Sequence, residues 1–163
     1  MAPRGYSRTQ IILHWAMAAL VALQYLLAEG IAQAFELGLR EGRFNLDGAV
    51  LAHMVFGALI FTLMIWRWLV RRERGVPPPH EDEPAWQHNL ARGTHFAAYA
   101  IVLLLPVTGA IAWSSASHAA ADMHGALRAA LLAVIILHIA GALHGQYVRR
   151  TGTLTRMLRP DDE

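Results

Sequence analysis

Histidine is the residue type in this sequence with the most evident capacity for chemistry. The 163 residues include nine histidines and no cysteine. Six of the nine lie inside or at the edge of long apolar stretches: His14, His53, His95, His124, His138 and His144. A polar side chain in such surroundings needs a partner, and for a neutral imidazole that partner is a hydrogen-bonding group or a metal ion. A single histidine would fit a hydrogen bond between helices equally well, so the spacing of the six has to be considered.

Four stretches of about 20 mainly apolar residues predict four membrane-spanning α-helices. Their expected bounds are 9–28, 49–70, 94–113 and 125–148. The hydrophobic content of 55% is too high for a soluble domain of this size. We therefore expect an all-α fold, an integral membrane four-helix bundle that forms one domain over residues 1–163.

Arginine supplies all 14 basic residues, and its distribution predicts the orientation in the membrane. Eleven arginines, among them Arg4, lie before the first helix, around the connection of helices two and three, or after helix four. Arg40, Arg43 and Arg128 lie on the other side. Short cytoplasmic segments are enriched in arginine, so we expect both termini to be cytoplasmic. Such clusters outside apolar stretches do not form the basic face of a nucleic-acid-binding domain.

The spacing of the histidines predicts two pairs at two depths in the membrane. His124 and His138 are fourteen residues apart on helix four, so they share a helix face and lie about 21 Å apart along its axis. With the orientation above, His14 should lie at the depth of His138, and His53 at the depth of His124. We expect an inner, cytoplasmic pair of His14 with His138 and an outer pair of His53 with His124.

Each pair could supply the two axial ligands of one haem iron, with ligands projecting inward from facing helices. Two imidazoles alone would leave a bare dication undercoordinated, whereas a porphyrin adds four ligands and most of the countercharge. The absence of cysteine excludes thiolate clusters and c-type haem attachment. Glu29 is the only acidic residue near a predicted span, which disfavours an ion channel or proton-coupled carrier. We expect two b haems, with Gly57 and Gly141 allowing the macrocycles to approach the helices.

Other polar residues near the inner pair could contact a haem propionate or a quinone. His144 lies about 200° around helix four from His124, so we do not expect it to be an axial ligand. His95, at the depth of the inner pair, either replaces one member of that pair or contacts quinone. Arg8 and Arg67 are candidate propionate or quinone contacts, with the alternative that they only mark the cytoplasmic side. Three further histidines are expected in solvated loops: His80, His88 and His118.

Several short motifs are spread over almost the whole chain. They are Tyr6-Ser7-Arg8, Leu13-His14-Trp15, Ala52-His53, Thr94-His95, Tyr99, Leu105-Pro106-Val107-Thr108-Gly109, Leu137-His138 and Thr153-Leu154-Thr155-Arg156-Met157. Together they resemble the bacterial cytochrome b561 family, in particular its small four-helix members with two haems. The resemblance implies haem ligands on helices one, two and four, a ubiquinone site near the cytoplasmic haem, and a redox partner at the outer haem.

The resemblance also implies an activity, because similar proteins oxidise superoxide at the outer haem and reduce quinone on the other side. The chain departs from the family just before the outer histidine of helix four, where Asp122 and Met123 replace the usual basic residue and tryptophan. An anionic substrate is steered by positive potential, which Arg128, or Arg40 and Arg43, could supply instead. Superoxide is therefore a candidate outer donor.

We expect a protein of the bacterial inner membrane, surrounded by lipid, that moves electrons between an outer donor and ubiquinone. The donor is superoxide or a redox protein. The sequence leaves open whether the protein is an oxidoreductase of the superoxide:ubiquinone type or an electron-transfer cytochrome. Two alternatives remain: a cytochrome b anchor subunit of a hydrogenase or dehydrogenase complex, and a histidine-lined metal transporter.

Overall fold

The protein folds into four long helices, seen in a computed structural model that describes residues 5–78 and 83–160. Their bounds are Arg8–Glu41 (α1), Gly48–Arg74 (α2), Ala85–Ser115 (α3) and His118–Leu143 (α4). All four are long and apolar enough to cross a membrane, and the described part of the chain contains no strand. The predicted all-α architecture with four such helices is therefore confirmed. Arg4, predicted to be cytoplasmic, and His80, predicted to be in a loop, lie outside the described residues.

Polar side chains define where three of the helices begin. Ser7 and Gln10 form a reciprocal capping box at the start of α1, in which each side chain binds a backbone N–H that the helix leaves free. At the start of α2, Asp47 Oδ1 accepts a hydrogen bond of 2.8 Å from the Val50 N–H. Ser117 has the same role before α4. These caps favour a defined start for each helix over a gradual fraying of its first turn.

The helices are longer than predicted, because the apolar length limits only the part inside the bilayer. Helix α1 does not end at Ala28 but continues to Glu41, where Gly42 follows with a φ of 70°. Its 34 residues span about 51 Å, whereas the hydrocarbon core is about 30 Å thick. Helices α3 and α4 begin at Ala85 and His118, well before their predicted starts. Backbone hydrogen bonding continues into the interfacial region until a cap or a glycine ends it.

Two helical turns of other types follow α4 near the end of the chain. A π-helical turn, His144–Val148, continues directly from α4, and a 3₁₀ turn spans Thr155–Met157. The predicted end of helix four at Val148 therefore coincides with the end of this π-helical turn. Wider turns of this kind are frequently found at functional sites in proteins.

The bundle consists of two helical hairpins that meet through α2 and α3. The most extensive packing is between α3 and α4 and between α1 and α2. Helices α1 and α4, which carry three of the four paired histidines, pack less closely against each other. A cluster of buried residues from all four helices fills the middle of the bundle: Met17, Ile60, Met64, Val102 and Leu131. It leaves space for ligands toward the two ends.

Candidate haem sites

The structure brings the four predicted ligand residues together in two pairs. The ring centroids of His14 and His138 are 6.0 Å apart, and those of His53 and His124 are 6.3 Å apart. An imidazole nitrogen lies about 2 Å from a metal that it ligates, and the ring centroid lies about 1 Å further out. Two ligands on opposite sides of one metal ion therefore place their centroids about 6 Å apart. Both pairs match that separation.

The two pairs lie on opposite sides of the central apolar cluster. Leu131 of that cluster is seven residues from His124 and seven from His138, about two helical turns in each direction. Met17 lies one turn after His14, and Ile60 lies about two turns after His53. The pairs therefore occupy two depths of one bundle.

The outer pair lines a large cavity to which all four helices contribute. Its volume is about 570 Å³, and its wall includes His53, His124 and Gly57, within the range of about 300–1,000 Å³ that is usual for small-molecule and cofactor sites. A Cβ atom added to Gly57 would lie 3.2 Å from Gln24 Nε2. Gln24 in turn donates a hydrogen bond of 2.9 Å to the carbonyl of His53. This contact fixes the backbone of α2 where it carries the histidine.

Two buried polar atoms near the outer pair have no hydrogen-bond partner within the described chain. They are His53 Nδ1 and Gln24 Oε1. A buried polar atom without a partner is uncommon in a native protein and often indicates a bound group that satisfies it. The unpartnered imidazole nitrogen supports the view that this cavity receives a ligand.

His124 is held on its Nδ1 side by α3. Its Nδ1 lies 2.9 Å from the carbonyl oxygen of Leu105 and 3.3 Å from Thr108 Oγ1. Because a carbonyl oxygen only accepts hydrogen bonds, Nδ1 carries the proton and Nε2 keeps its lone pair. Histidines that ligate a metal are oriented in this way by a hydrogen bond from their other ring nitrogen.

The inner pair lies beside a second cavity, between α3 and the end of α4. Its volume is about 350 Å³, and its wall includes His138, His95 and His144. Gly141 also lines it, and a Cβ atom added there would meet no atom within 4 Å. His144 Nε2 lies 3.5 Å from Gln87 Nε2 across this cavity. The space beside Gly141, predicted to admit a macrocycle, is open.

His95 of α3 also contacts the inner pair. Its ring centroid lies 5.3 Å from that of His138, which is closer than the about 6 Å expected of two ligands on opposite sides of one metal. Within the described part of the chain, no three His, Asp or Glu side chains converge to hold a metal ion. His95 is therefore a neighbour of the inner pair, and its role there stays a prediction.

Each pair has one arginine within electrostatic range. Arg67 interacts with His14 and His138 and donates a hydrogen bond of 2.8 Å to the backbone carbonyl of Gln10. Arg128 interacts with His53 and His124. Such arginines are suited to pairing with carboxylates.

Other charged residues lie at the helix ends and around the outer cavity. Arg8 is exposed at the first residue of α1, and its contact with a propionate or quinone stays a prediction. Asp122 and Glu36 line the outer cavity, so acidic groups stand beside the positive charge of Arg128 there. The charge of the outer cavity is therefore mixed.

An aromatic cluster at the outer end of the bundle was missed from the sequence. It consists of Phe35, Phe44, Trp113 and His118, and the ring centroids of Phe44 and Trp113 lie 5.0 Å apart. Phe35 and Trp113 also line the outer cavity, so the cluster covers it. His118, expected to be in a loop, is the first residue of α4. The sequence feature that could have indicated a longer α1 is the helical spacing of Ala28, Phe35 and Gly38, which are all buried.

The contact between residues 151–160 and the start of α1 was also missed. Trp15 Nε1 donates a hydrogen bond of 2.7 Å to the carbonyl of Met157, and the Trp15 ring packs edge-on against His14 with centroids 5.2 Å apart. Gln146 Oε1 accepts a hydrogen bond of 3.1 Å from the Leu154 N–H. Residues 151–160 therefore fold back over the inner end of the bundle.

The chain belongs to the prokaryotic cytochrome b561 family, whose family model matches residues 5–160. It is similar to cytochrome b562 of Cereibacter sphaeroides, with 33% identity over 159 residues, or 96% of each chain. It is also similar to cytochrome b561 homolog 1 of Escherichia coli strain K12, with 31% identity over 114 residues, or 64% of this chain and 56% of that protein. The family resemblance noted in the sequence is confirmed. The protein is a multi-pass bacterial membrane cytochrome, and its family's chemistry is electron transfer by haem b.

Proposed function

We propose that the protein holds two b haems, one between His14 and His138 and one between His53 and His124. We further propose that it moves electrons between a donor at the outer face and ubiquinone near the cytoplasmic face. The observation that carries the proposal is the pairing of four histidines, at separations of 6.0 and 6.3 Å, at two depths of one membrane-spanning bundle. A bound haem would supply a one-electron couple tuned by its axial ligands and surroundings.

The residues around each pair have the properties that such a site needs. The two histidines of each pair would hold the iron from two helices, and a haem held in this way would supply electron transfer in preference to dioxygen binding. Gly57 and Gly141 line the two cavities, and the space beside Gly141 is open, whereas Gln24 packs against Gly57. Arg67 and Arg128 place a positive charge near each pair, where it can balance propionate carboxylates.

The proposed orientation places both termini in the cytoplasm. His14 and His138 lie at the end of the bundle where residues 151–160 pack against Trp15. Most of the arginines of the chain are at that same end, which is the distribution found on the cytoplasmic side of membrane proteins. His53 and His124 then face the outer side.

The proposed site of ubiquinone is the part of the inner cavity beside Gln87 and His144, next to the space at His138 and Gly141 that the haem would take. This cavity is lined by apolar groups such as Leu90 and Leu137 together with His95, Gln87 and His144. A quinone carbonyl accepts hydrogen bonds, which imidazole and amide N–H groups can donate. Leu90 and Leu137 are exposed on the protein surface, so an isoprenoid tail could leave the cavity toward the lipid.

Superoxide is the proposed donor at the outer face. Each superoxide ion would give up one electron and leave as dioxygen, while ubiquinone takes two electrons and two protons to form ubiquinol. Two superoxide ions are therefore consumed for each ubiquinol formed. Arg128, Asp122 and Glu36 all line the outer cavity. The positive charge of Arg128 favours the approach of an anion, whereas the negative charges of the two acidic residues oppose it. A redox protein is the alternative donor.

The haem assignment is tested with single alanine variants of the four histidines. His53→Ala and His124→Ala should each remove the same haem spectrum and leave the other, because each takes one ligand from the outer pair. His14→Ala and His138→Ala should remove the complementary spectrum. His95→Ala is the matched control and should retain both haems. Complete loss of one haem in that control would contradict the proposed pairing.

The donor is tested by rapid mixing of the oxidised protein with superoxide or with ubiquinol. Superoxide should reduce the outer haem first in the wild-type protein and should fail to do so in His53→Ala. Ubiquinol should still reduce the inner haem of that variant. If superoxide reduces neither haem while a soluble subunit co-purifies with the protein, the donor is a redox partner and the superoxide proposal is wrong.

A further inference from the structure

Residues 105–109 of α3 form a contact with His124 that the haem ligands alone do not explain. This segment, called the α3 clamp below, contains Pro106 and ends at Gly109. It provides no paired histidine, yet two of its polar groups contact the His124 ring and a Cβ atom at Gly109 would lie against the same ring. The two contacting groups are the backbone carbonyl of Leu105 and the hydroxyl group of Thr108, and Gly109 leaves room for the ring because it has no side chain.

The carbonyl of Leu105 determines which nitrogen of His124 is protonated. Its oxygen lies 2.9 Å from Nδ1, so the Nδ1 proton is donated to it. Thr108 Oγ1 lies within 2.9 Å of the same carbonyl oxygen and 3.3 Å from Nδ1. The Thr108 hydroxyl group therefore lies next to the hydrogen bond between His124 Nδ1 and the Leu105 carbonyl, and it restricts the rotation of the His124 ring.

Gly109 allows the ring to come this close. A Cβ atom at this position would lie 3.2 Å from both Cε1 and Nδ1 of His124, which is closer than an ordinary van der Waals contact between carbon atoms. Any side chain at position 109 would push the ring away from α3. By contrast, a Cβ atom on Gly93 of the same helix would meet no atom within 4 Å.

Among the four paired histidines, His124 alone has a ring nitrogen in contact with a backbone carbonyl in the described part of the chain. His53, which faces it, has an Nδ1 atom that is buried without a partner. The two members of the outer pair are therefore oriented differently. One is fixed by the protein before any ligand binds, and the other has a free ring nitrogen.

We propose that the α3 clamp is a positioning element that fixes the tautomer and ring orientation of His124 and thereby tunes the outer haem alone. The inference rests on the proposed function, because it assumes a haem at the outer pair. A hydrogen bond from Nδ1 to a carbonyl makes the other nitrogen a more basic ligand. A more basic ligand stabilises the oxidised iron, so the clamp lowers the reduction potential of the outer haem.

The test is the variant Gly109→Ala, compared with Gly93→Ala as a matched control on the same helix. The outer haem of Gly109→Ala should titrate at a more positive potential. Its binding affinity should fall roughly 10-fold to 100-fold, the usual effect of losing such a supporting contact, and this should be seen as faster transfer to excess apomyoglobin. Its low-spin electron paramagnetic resonance signal should shift. The inner haem should keep its potential and signal, and Gly93→Ala should change neither haem.

The inner haem serves as an internal reference for folding. If Gly109→Ala alters both haems equally, the effect is a general loss of packing and the proposed clamp is wrong. If His124→Ala removes the outer haem but Gly109→Ala leaves its potential, release and signal unchanged, the clamp is wrong while the proposed function stands. If the wild-type protein binds no haem at the outer pair, the proposed function itself fails.

Discussion

Replacement of Trp15 by phenylalanine should loosen residues 151–160 without removing either haem. The indole N–H donates a hydrogen bond of 2.7 Å to the carbonyl of Met157, which phenylalanine cannot make. A phenyl ring retains the edge-on contact with His14. The variant therefore removes the polar anchor of this segment and preserves the packing beside the proposed inner ligand.

The magnitude follows from the loss of one hydrogen bond. Trp15 is 43% exposed, so water can replace part of the lost interaction, and a net cost of about 1 kcal/mol is expected. That free energy corresponds to about a fivefold larger population of the undocked segment. Because Gln146 and Thr151 still hold the beginning of the segment, undocking should be confined to residues near Met157.

Limited proteolysis with trypsin measures that population. Cleavage after Arg156, inside the 3₁₀ turn Thr155–Met157, requires local opening, and its rate follows the open population when closing is fast. Cleavage should be about fivefold faster in Trp15→Phe, with an unchanged haem spectrum. Trp66→Phe, at an exposed position of α2, is the control and should behave like the wild type. Equal cleavage rates in all three proteins would refute the proposed anchor.

Three further variants test other parts of the structure. His144→Ala should retain both haems, because His144 lies beside the inner cavity but is in neither pair; loss of a haem spectrum would contradict this. Leu131→Ala should lower the stability in detergent by about 2 kcal/mol, since it opens a cavity in the central cluster, whereas Leu137→Ala, 43% exposed, should have little effect. Asp47→Ala should lower the free energy of unfolding by about 1 kcal/mol, because it removes the cap of α2. Asp47→Asn retains a capping oxygen and should recover the wild-type stability, measured by thermal unfolding followed by circular dichroism.

The pairing of the histidines could be predicted because it depends on two simple features, the repeat of an α-helix and the order of the helices in the chain. A separation of fourteen residues on one helix places two side chains on one face at two depths. The antiparallel order of four short-looped helices then determines which histidines share a depth. The structure shows His14 beside His138 and His53 beside His124. His95 was harder to place, because its position against His138 depends on the rotation of α3 about its own axis.

The ends of the helices could not be predicted from apolar length. Residues 29–41 of α1 are partly polar and lie outside the predicted span of 9–28, yet they continue the helix to Glu41, before Gly42. Phe35 in this part of α1 packs against Phe44 and Trp113, and Trp113 is 78 residues away in the sequence. A count of apolar residues contains no information about such contacts.

The contacts that orient the site also lay beyond sequence reasoning. The hydrogen bond from His124 to Leu105 joins two helices, and it depends on their separation to within a few tenths of an ångström. The motif of residues 105–109 could be recognised in the sequence, but the physical reason for a glycine at position 109 could not. The structure shows that the missing Cβ atom lies where the histidine ring approaches α3.

The haem content of the purified wild-type protein tests the central proposal most directly. A pyridine haemochrome assay gives haem per chain, and oxidised and dithionite-reduced spectra give the ligation state. The two histidine pairs predict about two b haems per chain, both low-spin with two histidine ligands. A colourless protein would contradict the proposal as a whole, and one haem per chain would contradict one of the two pairs.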